Sequence, residues 1–224
     1  MINGFRKPSI VAVIASLRDF AGIANLPADS FDICELRLDL LGGGSREIEE
    51  LSRGIPGPKI ATIRDPAEGG AHALPEPARL ERFERWLPHC DFIDVELRNL
   101  NRFSSLIQEA EGNGKQVIVS FHDFFETPPI DRLHAMLDAS GMRDTRIFKV
   151  ATKTAQWSDV ETLARFVQCD ASVRVAAMGI GEFGKLSRLV LGRLGSALVY
   201  GSIGEAVAPG QWPVTELRRI LSEL

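Results

Sequence analysis

Eight short apolar runs recur along this 224-residue chain, at 10–15, 32–37, 59–64, 92–96, 116–120, 146–151, 173–178 and 197–200, and they constrain the fold more than any other feature. Their starts lie 22 to 33 residues apart, the length of one strand plus one crossover helix in a βαβ unit. Helical patterns fill the intervals, as over 76–87, 103–111 and 214–224. Ser158-Asp159-Val160-Glu161 reads as a capping box, and Thr127 before Pro128, Pro129 and Asp131 as another helix start. Eight strand–helix units in a chain of this size predict an α/β protein, a (β/α)8 TIM barrel forming a single domain over 1–224. A doubly wound open sheet is the alternative architecture.

Composition removes several classes of function. With 45% hydrophobic and 25% charged residues the chain can bury one core but not two ordinary ones. A net charge of −4 gives neither the basic footprint of a nucleic-acid binder nor a polybasic membrane patch. Cys34, Cys90 and Cys169 are odd in number and widely spaced, which supports neither a disulfide framework nor a zinc knuckle and points to a reducing, cytoplasmic setting. Arg6 and Lys7 precede an apolar run that Ser16 and the Arg18-Asp19 pair soon end, so the N-terminus reads as a strand and not as a signal peptide. No stretch approaches the roughly 18 apolar residues of a membrane span.

Side chains alternate between the two faces of a strand, so parity sorts the polar residues. Glu35 and Arg37 share a face with Ile33, Arg64 with Ile60 and Thr62, His122 with Ile118 and Ser120, and Lys149 with Ile147 and Ala151. All stand at or near the C-terminal ends of their strands, the end at which barrels of this type build their chemistry. Lys149 lies inside a β-branched and aromatic run, where an ammonium must be paired, neutral, or led out to solvent at the strand end. A neutral lysine is suited to forming a Schiff base with a ketone or aldehyde. His122, on the preceding unit, could then move a proton next to the imine carbon, or could simply hydrogen-bond within its loop.

The remaining motifs are loops. Gly69 and Gly70 after Arg64-Asp65-Pro66-Ala67-Glu68 permit close approach or motion, although the same stretch could be a plain surface turn. Glu35 and Arg37 could form a structural ion-pair ladder, or could present an acceptor and a forked donor to ligand hydroxyls. Gly179-Ile180-Gly181-Glu182-Phe183-Gly184 matches a dinucleotide-binding pattern, with Glu205 about 20 residues further on. Too little chain remains after it to complete a nucleotide-binding sheet, and Glu182 would face the pyrophosphate. A glycine-rich turn that carries Arg188 over the barrel mouth, to hold a carboxylate, fits better. The last loop, 201–211, reads as a lid.

From residue 11 to the C-terminus the sequence resembles the type I 3-dehydroquinate dehydratases, the Schiff-base dehydratases of the shikimate pathway. The resemblance rests on Glu35-x-Arg37, Arg64 with Glu68-Gly69-Gly70, Ser120-Phe121-His122-Asp123-Phe124, Lys149-Val150-Ala151, the segment from Met178 to Ser187-Arg188, and Ala208-Pro209-Gly210-Gln211. It implies a (β/α)8 barrel, a homodimer, and no metal or cofactor. It also implies roles: Lys149 forms the imine with the C3 ketone of 3-dehydroquinate, and His122 removes the C2 proton and protonates the departing C1 hydroxyl to give 3-dehydroshikimate. Glu68 would position and tune His122, Glu35, Arg37 and Arg64 would bind ring hydroxyls, and Arg188 and Gln211 would clamp the carboxylate. Two positions depart from the family pattern, Val207 where serine is usual and Ile180 where methionine is common. Val207 implies a weaker closed lid. The short stretch before Ile10 implies that an N-terminal hairpin sealing the barrel is reduced or absent.

Three other functions share some of these residues. A Schiff-base aldolase barrel would also use Lys149, but would want a phosphate cup, for which only the loop after the seventh run is available. A metal-dependent barrel could draw on Glu35, Asp39, Glu96 and His122. A catalytically silent barrel would bind a ligand without turnover.

Overall fold

A strand covered on both faces has to be apolar at both parities, and most of the sheet is built that way. The computed structural model describes residues 7–42, 46–71, 73–170 and 172–224. Eight strands carry the frame: β1 (Ser9–Ile14), β2 (Ile33–Arg37), β3 (Lys59–Thr62), β4 (Phe92–Glu96), β5 (Gln116–Asp123), β6 (Arg146–Lys153), β7 (Val175–Ile180) and β8 (Leu198–Ser202). A two-residue strand, β9 (Trp212–Pro213), pairs with the end of β8 and is not foreshadowed by any apolar run. The helices are α1 (Leu17–Ile23), α2 (Arg46–Arg53), α3 (Glu76–Trp86), α4 (Ser104–Gly112), α5 (Ile130–Ala139), α6 (Trp157–Val167), α7 (Gly184–Leu194) and α8 (Val214–Glu223). Residues 1–6, with Arg6 and most of the stretch on which the expected loss of an N-terminal hairpin rests, lie outside the described residues.

Every strand pairing is parallel, and the order β7-β6-β5-β4-β3-β2-β1-β8-β9 is that of a (β/α)8 barrel, not of a doubly wound sheet. The seam between β7 and β8 carries no ladder. It is bridged instead by Ala197 N donating to Val175 O at 2.7 Å and by the Ser196 hydroxyl, which accepts from Ala177 N at 3.0 Å and donates to Leu198 O at 3.0 Å. One apolar cluster draws on all eight strands, including Val11, Ile33, Ile60, Phe92, Ile118, Ile147, Ala176 and Leu198, and forms the floor of the interior. The opposite parity, with Leu36, Ala61, Val95, Val119, Phe148 and Ala177, packs outward against the helices.

Two local expectations are corrected. Helix α6 begins at Trp157, with Gln156 and not Ser158 as its cap: Asp159 accepts from Gln156 N at 3.0 Å and from Ala155 N at 2.8 Å, satisfying donors that the helix start leaves open. Helix α5 begins at Ile130 behind Pro129, and the Thr127 hydroxyl bonds to Thr152 Oγ1 at 2.9 Å and Lys153 O at 2.7 Å. Thr127 therefore ties the loop to the end of β6.

Candidate active site

Above the apolar floor the inward positions of β2 to β6 turn polar, because each of these strands adds one or two chemically active residues on the same parity. Glu35 and Arg37 come from β2, Thr62 from β3 with Arg64 just beyond it, Asp94 and Glu96 from β4, Ser120 and His122 from β5, and Lys149 from β6. All eight residues singled out in the sequence, Glu35, Arg37, Arg64, Glu68, His122, Lys149, Arg188 and Gln211, line one cavity of about 140 Å³, together with Tyr200, Val207 and Ile180. Residues far apart in the chain thus meet at one site, to whose lining the last loop adds Val207, Ala208 and Gln211.

Lys149 is 4% exposed and paired: its Nζ lies 2.6 Å from Asp94 Oδ2 and 3.8 Å from Glu35 Oε1. Of the three options for a lysine in this strand, pairing is the one observed. Asp94 also accepts from Arg64 Nη2 at 2.8 Å and from the Ser120 hydroxyl at 2.6 Å, while Arg64 Nη1 donates to Ser120 at 2.7 Å and to Glu96 at 3.2 Å. Glu96 is held in turn by Arg79 Nη2 of α3 at 2.8 Å and by Asn99 Nδ2 at 3.0 Å. Burial alone would raise the Asp94 carboxyl, but the Arg64 guanidinium and the Lys149 ammonium outweigh it and hold the group well below the usual carboxylate range. Arg64 therefore spends its donors inside the protein.

His122 sits one inward position above Ser120, whose register partner across the ladder is Lys149. Its backbone N and its Nδ1 both lie 3.0 Å from Glu68 Oε2. Glu68 is brought there by the short turn of 66–68, which Asp65 caps by accepting from Ala67 N at 2.9 Å. Burial pushes the Glu68 carboxyl up to about 7, and burial, followed by the Arg64 and Lys149 charges, pushes His122 well below its ordinary value. With Nδ1 turned towards Glu68, the Nε2 of a neutral imidazole is left to take a proton.

Arg188 is a buried cation with no carboxylate at salt-bridge distance among the described residues. Its Nη1 donates to the carbonyls of Gly179, Gly184 and Gly210 at 2.8, 2.9 and 2.7 Å, its Nε has no partner, and burial lowers its pKa to about 10. The glycines permit this. A Cβ on Gly184 would come within 2.9 Å of Gly210 Cα, and Gly210 has φ of 88°, so only bare backbone lets the two loops cross at the arginine. Gln211 fastens the last loop from its other side by accepting from Val207 N at 2.9 Å through Oε1, which leaves its amide NH2 as a donor. Arg37 makes a bidentate pair with Asp39 at 3.0 and 2.8 Å. Among the described residues no group of three or more His, Cys, Asp or Glu side chains is arranged to hold a metal ion.

Asp94, Arg79 and Tyr200 were not among the expected site residues, and Glu96 was expected only as a ligand of the metal-dependent alternative. Asp94 and Glu96 had a visible signal, since acids alternate with Phe92 on the inward parity of β4; Arg79 had none, because a helix residue reaching a strand end is a tertiary event.

The family model described as Type I 3-dehydroquinase matches residues 11–224. The chain belongs to the type I 3-dehydroquinase family. Among its relatives, a 3-dehydroquinate dehydratase from Methanocella arvoryzae is 34% identical over 211 residues, 94% of this chain and 94% of that protein. The crystal structure of the 3-dehydroquinate dehydratase from Aquifex aeolicus aligns with a TM-score of 0.81 at 30% identity, covering 96% of this chain and 98% of the other. That of the Geobacillus kaustophilus enzyme gives 0.85 at 26% identity, with 97% and 91% covered. No described helix is long and apolar enough to cross a membrane.

Proposed function

We propose that this type I 3-dehydroquinase dehydrates 3-dehydroquinate to 3-dehydroshikimate through an imine on Lys149. The observation that carries it is a buried lysine, Nζ 2.6 Å from Asp94, on the strand next to a His122–Glu68 pair in one cavity. Condensation of the ammonium with the C3 ketone releases the ketone oxygen as water and leaves a protonated imine, a local cation. His122 Nε2 takes the C2 proton, the electrons pass towards the imine, and the C1 hydroxyl leaves with the proton His122 returns. Hydrolysis frees Lys149 and the product.

Each flanking group has work in this scheme. Glu68 holds the imidazole so that Nε2 faces the substrate, and Glu35 and Arg37 meet the ring hydroxyls. Arg188 is suited to the substrate carboxylate because it is a desolvated cation without an acid partner, and the Gln211 amide adds a second donor. For Arg64, whose donors are engaged at 2.7 to 3.2 Å by Ser120, Asp94 and Glu96, the better-supported role is to hold Asp94 and Glu96 in place beneath the substrate. We place the enzyme in the cytoplasm as a homodimer; the three free cysteines fit the former, the family resemblance suggests the latter, and light scattering checks it.

The test is turnover of 3-dehydroquinate beside a panel of ketose and aldose phosphates. Dehydration of the first alone is expected. Cleavage of a sugar phosphate would turn the assignment to a Schiff-base aldolase, and no turnover at all to a silent barrel.

A further inference from the structure

Tyr200 stands beside Val11 on the inward parity of β8, packs in the interior apolar cluster, and lines the same cavity as Lys149. The Lys149 Nζ lies 4.6 Å from the centre of its ring, within the range at which an aromatic face attracts a cation. Its hydroxyl is buried and has no hydrogen-bond partner among the described residues. An orphaned buried hydroxyl is destabilising, and phenylalanine would fill the same space without it, so the oxygen needs a reason. Burial, and then the carboxylates of Glu35 and Asp94, push this phenol well above its ordinary pKa. It keeps its proton and remains a donor.

The proton count of Schiff-base formation supplies that reason, and the role assigned to Tyr200 rests on that reading of Lys149. When an ammonium becomes a protonated imine it keeps one positive charge but exchanges three N–H donors for one, because two hydrogens leave with the ketone oxygen as water. In the free protein Lys149 donates to Asp94 at 2.6 Å and stands 3.8 Å from Glu35, an ion-pair distance too long for a hydrogen bond. A single N–H cannot point at both, so one of these buried carboxylates loses its lysine N–H at this step and keeps only its other donors, Arg64 and Ser120 for Asp94 or Thr62 for Glu35. We propose that Tyr200 is a positioning residue for Lys149: its ring holds the positive charge that persists through imine formation, and its hydroxyl, unpartnered beforehand, turns to the carboxylate that Lys149 gives up.

Tyr200→Phe keeps the ring and removes only the oxygen. Its Tm should equal or exceed that of the wild type, because an orphaned polar group is gone. Its kcat/KM for 3-dehydroquinate should fall about tenfold, with a matching fall in the fraction of chain trapped by borohydride as a reduced imine on Lys149. Tyr200→Leu, which loses the ring as well, should fall further in both. Wild-type kinetics and trapping in Tyr200→Phe would overturn the proposal, as would a Tm that drops together with activity, since the hydroxyl would then have had a structural partner all along. A wild-type protein that neither dehydrates 3-dehydroquinate nor is trapped at Lys149 would overturn the Schiff-base reading itself, and this role with it.

Discussion

Asp94→Asn probes the charge chain beneath the substrate. Arg79, Glu96, Arg64, Asp94, Lys149 and Glu35 alternate in sign, linked by contacts of 2.8, 3.2, 2.8, 2.6 and 3.8 Å, and no side chain among them is more than 6% exposed. The six sum to zero; asparagine preserves the shape and leaves one excess positive charge. Removing one partner from a buried pair costs about 3 to 5 kcal/mol, and because Glu96 and Glu35 remain beside the two cations the lower end applies, about 3 kcal/mol. With a urea m-value of roughly 3 kcal/mol/M for a chain of this length, the unfolding midpoint should fall by about 1 M. The folded pKa of Asp94 lies below the roughly 3.9 of an unfolded aspartate. Its contribution is therefore complete above the unfolded value and is lost as pH falls through the folded one. The gap between wild type and variant should be present throughout the neutral range and close only below about pH 4. A midpoint within about 0.3 M of wild type at pH 7, or a gap that stays undiminished well below about pH 4, would refute the reasoning.

Three further outcomes are expected. Arg188→Lys gives up the guanidinium that meets three carbonyls and that we propose holds the substrate carboxylate, so steady-state kinetics should show KM for 3-dehydroquinate raised about 10- to 100-fold with a smaller change in kcat. Glu68, with a folded pKa of about 7 above its unfolded value, is protonated on the acid side, so wild-type kcat/KM should decline below about pH 7. In Glu68→Gln that limb should vanish at a lower overall rate, and the variant should gain stability relative to wild type as pH rises from about 5 to 8, because folding disfavours ionisation of Glu68. Val207→Ser restores a hydroxyl to a lid position that lines the cavity, and KM should fall with kcat unchanged; an unaltered KM would mean that the loop makes no polar contact with the ligand.

Strand parity makes most of the site legible in the sequence alone. Glu35, Arg37, Arg64, His122 and Lys149 share the inner face because alternation along a strand is nearly free of tertiary influence. The glycine-rich turn after β7 was readable for the same local reason, since Gly179 and Gly184, with Gly210 of the last loop, yield carbonyls to Arg188 where side chains would collide. Pairing was not legible. Lys149 in isolation allowed a paired, neutral or solvated form, and only the approach of β4 supplies Asp94. The β5 and β6 ladders run on past the apolar runs, to Asp123 and Lys153, because a neighbouring strand satisfies the backbone whatever the side chains are. The Gln156–Asp159 helix start was missed because an acid at the third helical position fixes the cap more firmly than the serine that draws the eye.

The central claim is that Lys149 bonds covalently to the substrate, and borohydride reduction in the presence of 3-dehydroquinate, followed by intact-mass and peptide analysis, tests it most directly. The expected result is one adduct per chain, carried by the peptide containing Lys149, absent in Lys149→Ala and still formed in His122→Ala, which binds the ketone but cannot eliminate water. Dehydration by the wild type with no adduct at Lys149 would contradict the account.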